Sequence, residues 1–147
     1  MANSYKFKGT ALATTAQTTL LSADTNETII IKSIIVTNNT GNTPTVTLDV
    51  TDSSASSTFT ILKTKSLTAN NSEEVLLFGI PLVLESSDSL KATISSTDSI
   101  HITMSYLIIT WLSLLEYQKK MSMMLGVWYL IMLQMHYLEI SIVHQII

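Results

Sequence analysis

Cysteine is absent from the 147 residues, so no disulfide can hold the fold and no thiolate can act as nucleophile or metal ligand. Arginine is absent as well: all eight basic residues are lysine, and the formal net charge is -3. Base readout and bidentate phosphate contacts lean on arginine, so both features argue against a nucleic-acid partner. Glycine is scarce, with only Gly9, Gly41, Gly79 and Gly126, and no glycine-rich phosphate loop can be built from them. The first residues also lack the apolar core of a signal peptide, so cleavage during secretion is not expected. Without a secretory route, the Asn-x-Ser/Thr matches at Asn26, Asn38 and Asn70 read as chance matches.

What the chain has is β-branched residues in strand patterns, centred on Glu27 to Asp52. Thr28 to Val36 carries Ile29, Ile31 and Ile35 on one face and Ile30, Ile34 and Val36 on the other, which predicts a central strand covered on both sides. Thr45 to Asp52 alternates strictly, Val46, Leu48 and Val50 against Thr45, Thr47, Asp49 and Thr51, so one wet face is expected. Asn38, Asn39, Gly41 and Pro44 supply turn chemistry between the two, and a hairpin is the simplest connection.

The flanking segments continue the theme. Strands are expected near Tyr5 to Phe7, at Thr18 to Ser22, from Thr58 to Leu67, from Glu73 to Phe78 and at Leu82 to Leu84. Leu90, Ala92 and Ile94, then Ile100, Ile102, Met104 and Tyr106, show period two on either side of a Ser95 to Ser99 turn, again suggesting a hairpin. About eight short strands and no amphipathic helix predict an all-β antiparallel sandwich, jelly-roll or immunoglobulin-like, over residues 1 to 110.

After Thr110 the composition breaks. Six of the seven methionines and both tryptophans lie beyond residue 103, and residues 121 to 138 form an uncharged run. Drawn as a helix, this run is apolar on every side, unlike a surface helix. Its length borders on a membrane span, so a membrane contact is open only to residues 121 to 138.

Candidate chemistry is sparse. His101 falls on the polar face of a strand, with no nucleophile or acid placed beside it. The carboxylate pairs Glu73/Glu74 and Asp49/Asp52 lie at strand ends, where solvated charge is normal. His136, Glu139 and His144 do not complete a metal-ligand pattern. No catalytic residue, metal or cofactor is expected, and the chain does not read as an enzyme. Exposed polar residues of the central connection, Asn38, Asn39, Thr40, Asn42 and Thr43, are the expected partner-contact loop. A glycan-binding module would want exposed aromatics, whereas Tyr5, Phe7, Phe59, Phe78 and Tyr106 are expected mostly in the core.

The ordered phrases MANSYK (Met1 to Lys6), IIIKSIIVTNNT (Ile29 to Thr40), TVTLDVTDSSASSTFTI (Thr45 to Ile61) and LVLESSDSLKATISSTDSIHITMSYL (Leu82 to Leu107) resemble small β-sandwich virion proteins of tailed bacteriophages, especially marine phages of cyanobacteria. The resemblance implies a non-enzymatic virion component at the head, neck, tail or a fibre, assembled in the host cytoplasm with other virion proteins and with copies of itself. It carries no catalytic residues to transfer. It lapses after Leu107, where Ile108 stands in place of an expected glutamate, and a similar phrase, Tyr137 to Ser141, follows late in the tail. Residues 111 to 147 are therefore read as a departure in reading frame, with an added packing or membrane-anchoring element as the competing account.

Overall fold

The structure is a computed structural model that describes residues 2–76, 80–111 and 114–146, with the side chains of 2, 114–116 and 136–146 left undescribed. The chain divides into two compact units, Met1–Trp111 and Leu112–Ile147. The first holds the strands β1 (Ala2–Leu12), β2 (Thr18–Ser22), β3 (Glu27–Asn38), β4 (Thr45–Asp52), β5 (Ser57–Ser66), β6 (Asn71–Glu74), β7 (Leu82–Leu84), β8 (Ser89–Ile94) and β9 (Ile100–Thr110). The second is the helix α1 (Leu114–Ile146).

Pairing among these strands is antiparallel throughout. One sheet runs β1-β9-β3-β6, with β7 on the same side of β3 as β6; the other runs β2-β8-β4-β5. β6 and β7 are two pieces of a single interrupted edge, opposite Ile35 to Asn38 and Ile29 to Ile31 respectively. Counted so, eight strand positions form two sheets in which successive strands mostly change sheet, the winding of a jelly roll. An immunoglobulin-like order would pair the first two strands in one sheet, whereas β1 and β2 lie in opposite sheets.

Both expected hairpins are corrected by this topology. β3 pairs with β9 while β4 pairs with β8, so residues 39–44 form an arch from one sheet to the other. β8 and β9 are likewise in different sheets, and residues 95–99 form a second arch. A tight hairpin instead joins β4 to β5, where the Asp52 carboxylate accepts hydrogen bonds from the Ser54 hydroxyl (2.7 Å) and the Ala55 amide (2.8 Å). Ser56 completes this turn in the left-handed region, with φ 51°.

The expected two-faced burial of β3 is corrected as well. Its register against β9 shifts between Ile31 and Ser33, a bulge that inserts one residue and reverses the alternation. Ile29 and Ile31 before the bulge, and Ile34, Val36 and Asn38 after it, are therefore all buried on one face. Ile30 is half-buried and Ile35 is exposed. The core closes with Leu48 from β4, Leu90 and Ile94 from β8, and Ile100, Ile102 and Met104 from β9, each no more than 1% exposed.

Along α1 the described large apolar side chains from Met121 to Met135 are exposed on every side, among them Leu125, Trp128, Leu130 and Met132. Among the described residues, no helix is long and apolar enough to cross a membrane.

Candidate functional site

Three sheet-to-sheet crossings meet at one end of the sandwich, residues 39–44, 67–70 and 95–99, and the β3 end residue Asn38 joins the first two. Its side chain is 1% exposed. The amide nitrogen donates to the carbonyls of Asn42 (2.7 Å) and Thr68 (3.1 Å), while Oδ1 accepts from the Thr40 amide (3.1 Å) and hydroxyl (2.8 Å). One buried amide thus spends its donors and its acceptor on two loops, which is how a polar group is accommodated in an apolar interior. Backbone bonds add to it, Leu67 N to Pro44 O (2.8 Å) and Asn70 N to Thr40 O (2.9 Å).

The third crossing is fastened to the first. The backbone amide and side-chain nitrogen of Asn39 both donate to the Ser99 carbonyl, and Asn42 donates to Asp98 Oδ1 at 2.9 Å. Thr45 and Ser95 exchange bonds, Thr45 N to Ser95 Oγ (2.9 Å) and Ser95 N to Thr45 O (3.0 Å). The Ser96 hydroxyl and then the Asn42 amide, both donating to Asp98, hold its carboxyl below the usual 3.8. Gly41, Asn42, Thr43, Pro44, Ser95, Ser96 and Asp98 enclose a shallow polar cleft between the arches.

The structure therefore places the expected loop residues unequally. Asn39, Asn42 and Thr43 are exposed and Thr40 is half-buried, but Asn38 is interior and acts as the anchor, so its assignment as a contact residue is corrected. The cleft offers one hydrogen-bonded carboxylate with amides and hydroxyls, an arrangement suited to polar docking.

The other weighed residues are dispersed. His101 is exposed on β9. Glu73 forms an ion pair with Lys65 at 2.9 Å, and Glu74 accepts from the Ile34 amide (2.8 Å) and the Ser33 hydroxyl (2.6 Å), binding the interrupted edge to the β3 bulge. Asp49, expected on a wet face, is 9% exposed and accepts from Gln17 Nε2 (3.0 Å) and the Thr60 hydroxyl (2.7 Å). The side chains of His136, Glu139 and His144 lie outside the described residues, as does Phe78. Among the described residues, no group of three or more His, Asp or Glu side chains could hold a metal ion.

Sequence reasoning missed two features. Asp88 anchors the opposite end as Asn38 anchors this one: its carboxylate accepts from the Ser53 and Glu85 amides, both at 2.9 Å, and its carbonyl from the Ala23 amide. The second is an apolar row on the outer face of the β1 sheet. Tyr5 stands opposite Leu107, Leu107 opposite Ile30, and Ile30 opposite Val83, so one line crosses four strands. Tyr5 is 79% exposed and Phe7 71%, which corrects their expected place in the core; Phe59 at 55% is corrected likewise, while Tyr106 is buried. The alternation of Tyr5-Lys6-Phe7-Lys8 signalled two unlike faces, but not which one turned outward.

No family model matches the sequence, and no curated protein matches it. Similar solved structures include a pilus protein of Bacillus endospore appendages, 14% identical with a TM-score of 0.40 over 76% of this chain and 89% of that one. A pentameric capsid protein from metagenomic phage sequences is 11% identical with a TM-score of 0.38, over 68% of this chain and 59% of that one. The capsid of cyanophage Pam1 is 15% identical with a TM-score of 0.37, over 71% of this chain and 84% of that one. These three neighbours are capsid and pilus proteins, and a xylanase structure with a carbohydrate-binding module also matches, 19% identical with a TM-score of 0.35 over 65% of this chain and 18% of that one.

Proposed function

We propose that this chain is a non-enzymatic structural component of a tailed-phage virion, at the head surface, neck, tail or a fibre, working through protein-protein contacts. The observation that carries the reading is the outward apolar row of Tyr5, Leu107, Ile30 and Val83 beside Phe7, on a sheet whose other face already packs the core. Contiguous apolar surface on a soluble domain marks a contact with another molecule. The resemblance of its sequence phrases to phage virion proteins suggests the setting of that contact. Asn39, Thr40, Asn42 and Thr43 form a second, polar contact region, held in shape by Asn38.

Mass spectrometry of purified particles of the encoding phage tests the proposal. Peptides from residues 2–107 should be abundant in the particles; their absence from particles, with abundance in the infected lysate, would contradict it. Intact mass from the same sample reports whether residues 111–147 accompany the sandwich. In the frame-departure account, the particle-borne chain lacks that tail.

Exposure of Tyr5 and Phe7 supplies the aromatics that a glycan-binding reading lacked. Their row continues, however, into Leu107, Ile30 and Val83 and not into the amides and carboxylates that sugar hydroxyls require. A glycan array should accordingly show no saturable binding. For the membrane-tethered reading, deletion of residues 111 to 147 would have to release the protein from membranes.

A further inference from the structure

Resting on the assembly reading above, we propose that the partner on one flank is a second copy of this chain, docked head to tail: strand β1 of one copy lies in the open seam between β5 and β7 of the next. The two surfaces occupy opposite edges of the same sandwich. β1 is one edge of its sheet, and β6 and β7 form the other, beside the β5 edge of the second sheet. The seam is apolar along its length. Phe59, Ile61, Leu82 and Val83 line one stretch together with Val50, and Leu62, Val75, Leu76 and Ile80 carry it onward. Phe59, Ile61, Ile80 and Val83 are 55%, 42%, 60% and 44% exposed, so among the described residues this side of the core is only partly covered.

Charge selects the occupant. β1 carries Lys6 and Lys8, both exposed, and no acidic residue. The seam is lined by Asp52, Glu85 and Asp88, and among the described residues no lysine lines it. Asp88 is turned to its backbone donors and Asp52 Oδ1 to its own turn, which leaves Glu85 as the exposed charge, with the half-buried Asp52 beside it. A two-fold pairing of β1 with β1 would bring lysines against lysines, the arrangement that cross-strand pairs disfavour. Seating β1 in the seam brings Tyr5 and Phe7 to an apolar surface and the lysines to an acidic rim. Because the two patches differ and lie on opposite edges, the contact repeats from copy to copy and closes into a ring or extends as a filament.

The absence of cysteine gives a clean test on the full chain. Gly9→Cys puts a thiol on β1 while keeping both aromatics; a Cβ there meets Phe7 and Thr103 at 3.8 Å, ordinary contact distance. Val83→Cys puts one in the seam. A short bis-maleimide added to a mixture of the two should join residue 9 to residue 83 far above like-with-like products, and the double variant should give a ladder of multimers. Phe7→Ser on the β1 side should lower that yield about tenfold. Lys6→Glu with Lys8→Glu should do the same, about tenfold, and Glu85→Lys on the seam side should recover part of it. Products dominated by 9–9 or 83–83 links, or no 9–83 product above a Thr97→Cys control at the exposed arch end, would overturn the proposal. If such a result accompanied abundant peptides in particles, the assembly reading would stand and the occupant of the seam would be another virion protein.

Discussion

The sandwich and the helix use the same aliphatic residues in opposite ways. Ile34 and Leu48 are at most 1% exposed between two sheets, whereas Leu130 on α1 is 65% exposed and Leu125 66%. The difference comes from period. Strands that alternate turn one set of side chains toward a facing sheet, so each buried residue finds a partner layer. An apolar sequence without helical period gives α1 no face to bury, and its described side chains, residues 117–135, are exposed all round. Hydrophobic content alone therefore does not make a core. The sandwich also departs from its own rule at β1 and at the β5–β7 seam, and those departures are where contacts with other molecules are proposed.

Substitution separates the two units most strongly in the core. Ile34→Ala or Leu48→Ala should cost about 2–5 kcal/mol in denaturant unfolding, while Leu130→Ala should stay within about 0.5 kcal/mol. An equal loss at Leu130 would erase the contrast. A smaller effect is expected at the arch anchor. Asn38→Ala strands the carbonyls of Asn42 and Thr68 and the Thr40 amide, and should cost about 1–3 kcal/mol; Asn42→Ala, at an exposed position, should cost less.

The acid limb of stability follows from Asp52 and Asp98. The Ala55 amide and then the Ser54 hydroxyl hold Asp52 below the usual 3.8, as the Ser96 hydroxyl and Asn42 amide hold Asp98. A carboxyl with a depressed folded value contributes stability that is full above 3.8 and is lost as pH falls through that depressed value. Thermal midpoints should therefore be insensitive to these two groups from pH 7 down to about 5 and should fall below about 4. Asp98→Asn should flatten that acid decline. A small effect is also expected at the exposed Lys65–Glu73 pair: Lys65→Ala should change stability by less than about 1 kcal/mol.

Local pattern made much of the sandwich readable. The strands at Thr18–Ser22, Thr45–Asp52 and Leu82–Leu84 fall where β-propensity and alternation put them. Pairing was not readable, because a connection as short as 39–44 suits an arch as well as a hairpin, and only the facing strands decide between them. The bulge at Lys32 was hidden for the same reason: an unbroken aliphatic run looks two-faced until a partner strand fixes its register. Asn38 was recognised as a turn residue by type, but its burial depends on Thr68, thirty positions away. The sequence points Tyr5 and Phe7 inward because aromatics on strands usually are. Here the opposite face of β1 carries Lys6 and Lys8, and the whole edge stays open.

Every fully buried large side chain among the described residues lies between Leu20 and Met104, so the sandwich is expected to fold without the helix. Scanning calorimetry of the full chain and of a chain ending at Trp111 tests this directly. The same midpoint and the same cooperative transition are expected in both. A shortened chain that fails to fold, or that melts many degrees lower, would contradict it.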